Sequence, residues 1–531
     1  MPEASPTRGA IDHSHRVVLT TAPARAYDPE VATDGPAPRA PFVLTIDVGT
    51  SSARCALYDA SARPVPGTTA RRAHEVATSA GGGAELDPDA LIASVVALID
   101  QTLSRAGALA REIVCVAPGG FLHTLVGLDA KGRALTPVHL WMDARSDADA
   151  AQLRRELDER EVHARTGCML HWSYLPAKLR WMRRTDPARF ARVARFVSFP
   201  DHLVAQLLGP GPTSISLGAA SGLFDQHRLD WDDEMLRAVG ITRAQLLEIA
   251  RDDRRLSPSR GAIAQRWPAL ARVPWLVPQG DAALSSIGAG CATRERAALM
   301  VGTSVALRVL FRAREVAIPD GVWGYRADET RMLLGGALND GGSLVAWLQR
   351  TLRLPEHDAL EAALREPFDD RLLVLPLWAG ERSPGWAGRA HGAITGLALH
   401  TRAVDVYRAA LEGIALRCAE LDARVRDAVP EVREVVATGA GLLASTAWQR
   451  IVADALGRPL VVSSEGEASS RGAALVALDR LGIVPGVIDG IAPSGPVIAP
   501  DPARHARYRA LGERQRALYR AVVDHDETGG S

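Results

Sequence analysis

Three stretches of this 531-residue chain carry residue types and spacings suited to phosphate chemistry. The first is Asp47-Val48-Gly49-Thr50-Ser51-Ser52-Ala53-Arg54, where an apolar run ends on a carboxylate and a turn follows. Glycine lets the backbone of such a turn approach an anion. Free N–H groups and the hydroxyls of Thr50 and Ser51 then donate to phosphate oxygens, and Arg54 adds charge. The Asp47 carboxylate suits Mg²⁺ held through water, because that ion keeps part of its hydration shell. Taken singly, the stretch also reads as an ordinary hairpin turn built from common turn residues. A second copy, Met300-Val301-Gly302-Thr303-Ser304, keeps the turn residues Gly302, Thr303 and Ser304 and puts Met300 where the acid stood. Two matched turns facing one another form a clamp, with the metal on the Asp47 side only.

Pro278-Gln279-Gly280-Asp281 leads into a helix-compatible run over 282–287. At a helix N-terminus the macrodipole and free N–H groups favour ionised Asp281, which can accept a hydroxyl proton as that oxygen attacks phosphorus. Aspartate is also a preferred cap there, so capping is the competing reading. The third stretch, Val435-Val436-Ala437-Thr438-Gly439-Ala440-Gly441, is a strand entering a turn of small residues. Such a turn leaves a flat slot for adenine and ribose, or simply makes a tight strand-to-helix connection. Ser445 caps the helix that follows and Gly457 ends it. Neither GxGxxG nor GxxxxGK[ST] occurs, so a Rossmann dinucleotide site and a Walker-type loop lose their sequence support.

These residues need elements to hold them. Phe42-Val43-Leu44-Thr45-Ile46 is an apolar, β-branched run, and Cys55-Ala56-Leu57-Tyr58 resumes the pattern after the turn, which predicts a β-hairpin. Asp87 caps a helix with Pro88 in its first turn and Leu91, Ile92, Val95, Val96 and Ile99 on one face, as suits a helix covering a sheet. Residues 113–117 read as a buried strand entering Pro118-Gly119-Gly120, with His123 just beyond. The two Val-Gly-Thr-Ser turns lie about 250 residues apart between strand-like runs, so two domains of related design with a site between them are expected.

Hydrophobic residues make up 47% and charged residues 23% of the chain, as in globular proteins, and the length exceeds one ordinary core. Basic and acidic side chains number 62 each, so no global field favours nucleic acid or an anionic membrane. The five cysteines form no CxxC pair and read as reduced core thiols. No apolar run of spanning length and no secretory layout is found, so a cytoplasmic protein without membrane contact is expected. Residues 1–41, with Pro36, Pro38 and Pro41, read as a flexible extension. The expected division is then an N-terminal domain over 42–293, a C-terminal domain over 294–520 and a flexible tail over 521–531.

In their order, these motifs resemble the FGGY carbohydrate kinases of the sugar kinase, Hsp70 and actin superfamily. Tyr174-Leu175-Pro176-Ala177-Lys178-Leu179-Arg180-Trp181-Met182 matches the first family signature and departs from it at Thr185. Gly392, Ile394, Gly396 and Leu397, then Asp405, Val406, Ala409, Ala410, Leu411 and Glu412, fit the second. The resemblance spans about 42–520 and implies an α/β fold in which two ribonuclease H-like (actin-like ATPase) domains flank a deep catalytic cleft. It implies ATP and Mg²⁺, with Asp47 on the metal through water and Asp281 as catalytic base. Gly49, Thr50, Ser51 and Arg54 would meet phosphates from one side and Gly302, Thr303 and Ser304 from the other. Gly439, Ala440, Gly441, Ser445 and Gln449 would line the nucleotide slot, Ala440 standing where the family has a third glycine.

For the sugar, the resemblance implies contacts from His123 and, within Trp141-Met142-Asp143-Ala144-Arg145, from Asp143 and Arg145. His123 also reads as a structural hydrogen-bonding residue, and Lys178 as a support of the cleft wall. Segments 171–176, 219–225 and 380–386 look most like the gluconate kinase branch. Arg382, like Arg145, offers a planar two-pronged donor to a sugar-acid carboxylate, or equally to an interdomain salt bridge. The expected activity is in-line, ATP-dependent phosphorylation of a sugar, sugar-acid or polyol hydroxyl, with gluconate to 6-phosphogluconate first. Xylulose, ribulose, glycerol or erythritol as substrate, or a catalytically silent sugar sensor, are the alternatives. Partners are then the small-molecule sugar or sugar acid and ATP/ADP; a homodimer is compatible with this reading.

Overall fold

The structure, a computed structural model, describes residues 37–258, 262–366 and 371–528. Among these residues most strands gather into two seven-stranded sheets, one in each lobe. The N-terminal lobe opens with β1 (Phe42–Val48), β2 (Ser52–Tyr58), β3 (Ala70–Ala73), helix α1 (Pro88–Ala106) and β4 (Ile113–Gly120). After an insertion that contains α2 (Leu175–Thr185) come β5 (Arg255–Leu256), β6 (Trp275–Leu276), β7 (Gln279–Gly280) and α3 (Asp281–Gly288). The strand order is β5-β6-β4-β1-β2-β3, with β7 also on β4. β1 is buried along its whole length because it is covered on both faces, as its continuous apolar pattern requires. Phe42, Leu44 and Ile46 share a core with Leu91, Val95, Leu98 and Ile99 of α1, and Val43 faces the other way. The predicted punctuation of α1 is present: the Asp87 carboxylate accepts from the Ala90 N–H at 2.9 Å and Pro88 starts the helix.

The C-terminal lobe repeats the plan with β8 (Arg296–Val301), β9 (Val305–Arg312), β10 (Trp323–Arg326), β11 (Arg331–Leu338), α4 (Gly342–Thr351) and α5 (Ala403–Ala428). It continues with β12 (Glu434–Thr438), α6 (Ala440–Leu443), α7 (Thr446–Leu456), β13 (Leu460–Val462), α8 (Ala468–Arg480), β14 (Val497–Ile498) and α9 (Pro502–Thr528). Its strand order is β10-β11-β9-β8-β12-β13-β14. In each lobe a hairpin is followed by a parallel strand beside its first member, Asp47 opposite Gly119 in one and Met300 opposite Thr438 in the other.

The lobes meet through α3 and α8. A Cβ on Gly288 would lie 1.9 Å from the Ala468 carbonyl oxygen, and one on Gly472 would lie 1.9 Å from that of Leu284, so the helices cross at backbone contact. α8 buries Ala474, Leu475 and Leu478 in the core that holds Val43, Cys115 and Ala117 of the N-terminal sheet. The first sheet ends at Gly280 and the second begins at Arg296, while α8 of the second half completes the core of the first.

Two expectations about the ends change. The extension read over 1–41 falls on 1–36 outside the described residues, and its end is tied down, since the Ala60 N–H donates to the Arg39 carbonyl at 2.9 Å. The tail read as flexible from 521 is helical to Thr528, because Val523 is buried against Leu375 and Leu377. All five cysteines are buried and unpaired, as expected.

Candidate active site

Three parallel strands end side by side in the N-terminal lobe, with Asp47 of β1 and Gln279 of β7 both in register with Gly119 of β4. Asp47 and Gln279, two residues before Asp281, thus leave strand ends on either side of β4, about 10 Å apart at the backbone by sheet spacing. Gly119 between them has no room for a side chain, since a Cβ would sit 2.4 Å from Leu284 Cδ1 of α3. The N-cap of α3 is Gly280, and no side chain caps the helix. Asp281 is the first helical residue, and the Ala282 N–H acts on its carboxyl. Burial, reinforced by the charge of Asp47, pushes the Asp281 carboxyl up to about 7, with Arg308 and Arg54 pulling the other way. A base poised near neutrality suits proton abstraction. Asp47 is 4% exposed and accepts no hydrogen bond from a described side chain; Arg54 Nη1 stands 3.5 Å away. Burial holds its carboxyl above the ordinary range.

The two turns share residue types but close differently, the second being one residue shorter. The Gly49 N–H donates to the Ser52 carbonyl at 3.0 Å, and the Gly302 N–H to the Ser304 carbonyl at 3.0 Å. Carbonyls of the first turn are tied from behind: His74 Nε2 lies 3.0 Å from the Gly49 oxygen and 3.0 Å from the Thr50 oxygen. Trp141 Nε1 donates to Thr50 Oγ1 at 3.1 Å. Carbonyls of the second turn accept from the start of α4, Gly342 N–H to Gly302 at 2.8 Å and Ser343 N–H to Thr303 at 3.0 Å. The N–H groups of Thr50, Ser51, Thr303 and Ser304 bond to no described backbone carbonyl. They form two sets of donors without acceptors, the arrangement that binds phosphate.

Arg54, expected on phosphate, pairs instead with Glu467, the N-cap residue of α8, and faces Asp47. The nucleotide turn also needs correction. Gly439 has φ 88°, and a Cβ there would meet the Val301 carbonyl oxygen at 2.5 Å, so the turn rides directly on the second hairpin. Ala440 is exposed at the start of α6. Ser445 and Gln449 do not line a slot: Ser445 Oγ accepts from the Trp448 N–H at 3.1 Å and donates to Glu361. Gln449 is buried, and its Nε2 donates to the Leu442 carbonyl at 3.1 Å and the Leu443 carbonyl at 3.3 Å.

On the acceptor side, His123 has φ 59° and its Nδ1 donates to the Ala220 carbonyl at 2.8 Å. The proton is thereby fixed on Nδ1, leaving Nε2 as an acceptor. Burial, with the charges of Arg382 and Lys178, pushes the ring down to about 3, so it stays neutral. Its ring meets Tyr174 edge-on at 5.0 Å and Tyr325 at 5.8 Å, and the two tyrosine hydroxyls bond across the lobes at 2.6 Å. Arg382 is half-buried nearby: Nε donates to Asn339 Oδ1 at 2.7 Å, Nη2 to the Leu338 carbonyl at 3.3 Å, and Cζ lies 4.5 Å over Trp141. No described carboxylate pairs with it, which removes the interdomain salt bridge as its role, and burial lowers the guanidinium to about 10. Its loop is anchored by buried Glu381, which pairs with Arg417 and accepts from the Tyr519 hydroxyl at 2.6 Å.

Asp143 and Arg145, expected on the sugar, are committed to each other. Arg145 Nε donates to Asp143 Oδ1 at 2.9 Å, its Nη2 pairs with Glu85, and its Cζ lies 4.4 Å over Trp181. Both partners belong to the N-terminal lobe, so the pair is not an interdomain bridge. Lys178 is 1% exposed and donates to the Trp172 carbonyl at 2.7 Å and the Ser173 carbonyl at 2.9 Å, a wall support. Sequence reasoning missed His74, Glu467 and Arg308. His74 offered no signal, and the Glu467 contact spans the lobes. Arg308 did offer one: it is a charge inside the otherwise apolar run 305–311, and it is 5% exposed.

Residues 42–288 match the FGGY family of carbohydrate kinases, N-terminal domain, and residues 297–479 its C-terminal domain. The chain is 24% identical over 455 residues to the gluconokinase of Bacillus subtilis (strain 168), covering 83% of this chain and 88% of that protein. It is 29% identical over 488 residues to the glycerol kinase of Koribacter versatilis (strain Ellin345), covering 88% and 94%. A solved gluconate kinase from Lactobacillus acidophilus superposes with a TM-score of 0.84 at 25% identity, over 91% of this chain and 98% of that one. Ligand-bound xylulose kinase from the same organism gives 0.83 at 24% identity, over 90% and 98%. The expected two-lobed, actin-like ATPase fold is therefore present. Matched along both halves, the chain belongs to the FGGY family of carbohydrate kinases.

Proposed function

We propose that this carbohydrate kinase transfers the γ-phosphoryl group of ATP to a hydroxyl of a sugar acid, with gluconate as substrate and 6-phosphogluconate as product. The observation that carries the sugar-acid reading is positive charge left without a counter-ion: neither Arg382 nor Arg308 forms an ion pair with a described carboxylate. A buried cation is costly until paired, and an acceptor that brings its own carboxylate supplies the missing charge. Likeness to gluconokinase supports the same reading.

The roles follow from the geometry. Asp281 accepts the proton of the attacking hydroxyl, and the unpaired N–H groups of the two turns neutralise charge on the phosphoryl oxygens during in-line transfer. His123 Nε2 accepts a hydrogen bond from another substrate hydroxyl. The turn at 439–441 receives the nucleoside. Asp47, buried and short of hydrogen-bond donors, fits a hydrated Mg²⁺, which supplies charge neutralisation between the phosphates when bound. The test is ADP release with gluconate, xylulose, ribulose, glycerol and erythritol. The highest kcat/KM is expected for gluconate; a preference for an uncharged polyol contradicts the proposal.

A further inference from the structure

Arg308 bonds to neither phosphate turn, and its charge acts on Asp281 without an ion pair between them. It is 5% exposed, its Nε is sealed from solvent without a partner, and its guanidinium makes no hydrogen bond or ion pair with a described residue. Alternation along β9 sets the face it occupies. Val305, Leu307, Val309 and Phe311 enter the C-terminal core, whereas Leu310 joins the core shared with α3 and α8. Arg308 lies on that second, interlobe face.

Its neighbours there are small. Arg308 is opposite Gly335 of β11, and Ala306 is opposite Ala337. A Cβ on Gly335 would meet the Leu307 carbonyl oxygen at 2.3 Å and both Cα and Cγ of Arg308 at 3.0 Å, so no side chain fits between the strand and this arginine. One strand further, Trp323 stands opposite Gly335, and Tyr325 of the same strand reaches the His123 ring. α3 packs on β9 and brings Asp281 near the same face, with no ion pair between Asp281 and Arg308. Four residues of strand, about 13 Å, separate Arg308 from Ser304, so Arg308 belongs to the acceptor end of the cleft and not to the phosphate turn.

We propose that Arg308 holds the carboxylate of the sugar-acid substrate, whose carbon chain lies along the small-residue face of Ala306, Gly335 and Ala337 toward Asp281. This assignment rests on the sugar-acid reading and sharpens it. Arg382 already spends Nε and Nη2 on Asn339 and Leu338 and lies over Trp141. Arg308 has its whole planar fork free, and a carboxylate accepts two parallel bonds from such a fork.

The test compares gluconate with glucitol, the same carbon chain carrying an alcohol in place of the carboxylate. The kcat/KM ratio of the two is measured for wild type, Arg308→Met and Arg382→Met. The gluconate-to-glucitol ratio is expected to fall roughly 100-fold in Arg308→Met, the size of a lost charge-assisted pair of bonds, and to fall less in Arg382→Met. An unchanged ratio in Arg308→Met, or a larger fall in Arg382→Met, overturns the assignment while the sugar-acid reading stands. A wild type that prefers glucitol overturns the sugar-acid reading itself. Should Arg308→Met not fold, a crystal structure of the wild-type gluconate complex decides. The carboxylate at hydrogen-bond distance from the Arg308 Nη atoms supports the assignment; the carboxylate elsewhere overturns it.

Discussion

Gly119→Ala tests whether the placement of α3 sets the rate. The added methyl would sit 2.4 Å from Leu284 Cδ1. Carbon atoms pack at about 3.5 Å, so the contact is short by roughly 1 Å. Leu284 is buried in a packed core and lies one helical turn from Asp281, so displacement that its side-chain end cannot absorb is passed to α3 and the base. Overpacking of this kind costs about 1–3 kcal/mol of stability. A base displaced by about 1 Å costs on the order of 100-fold in kcat. The expected result is a melting temperature a few degrees lower, kcat down by about two orders of magnitude, and KM for ATP little changed. Gly119→Ala combined with Leu284→Val removes the offending methyl and should recover most of kcat. Coupled ADP-release kinetics on the single and double variants measure this. A full kcat in a folded Gly119→Ala protein, or no recovery in the double variant, would refute the reasoning.

Four further outcomes are expected. Asp281 works as a base only when ionised, and its carboxyl is raised to about 7; kcat/KM should therefore rise with pH, reach its plateau above about 7 and fall to about a tenth of it at pH 6, read from a pH–rate profile. Asp47→Ala should abolish Mg²⁺-dependent turnover, whereas Met300→Leu, at the matching position of the second hairpin, should lower it less than tenfold by the same assay. Arg145→Met breaks the pairs with Asp143 and Glu85 and leaves buried carboxylate behind, so thermal melting should show a loss of about 3 kcal/mol; an unchanged KM for gluconate would accompany it. Gly472→Ala forces a methyl into the Leu284 carbonyl and should separate the lobes, seen as loss of soluble folded protein or a much lower melting temperature.

Much of this site was legible because its chemistry sits where strands end. The Asp47 and Met300 hairpins, the Gly280-Asp281 step and the Gly439 turn each announce themselves locally, by an apolar run followed by glycine and a functional side chain. The local signal misled where a side chain had a closer use than a ligand. Asp143 and Arg145 are two residues apart and satisfy one another, and Gln449 reaches back to its own turn. What sequence could not show are contacts across long separations: His74 behind Gly49, Glu467 of the second half on Arg54, and Glu381 on Arg417. Arg308 is the intermediate case. Its position in an apolar strand was visible, but the lack of any partner appears only once the lobes are packed together.

The central claim is a kinase whose base is Asp281 and whose acceptor is a sugar acid. Its most direct test is ATP turnover with and without gluconate, in wild type and in Asp281→Asn. Turnover should be strongly gluconate-dependent in wild type and fall by about 10²–10⁴-fold in Asp281→Asn, the range of a lost general base. Negligible rates in both proteins regardless of gluconate, as a silent sugar sensor would give, or full turnover in Asp281→Asn, would contradict it.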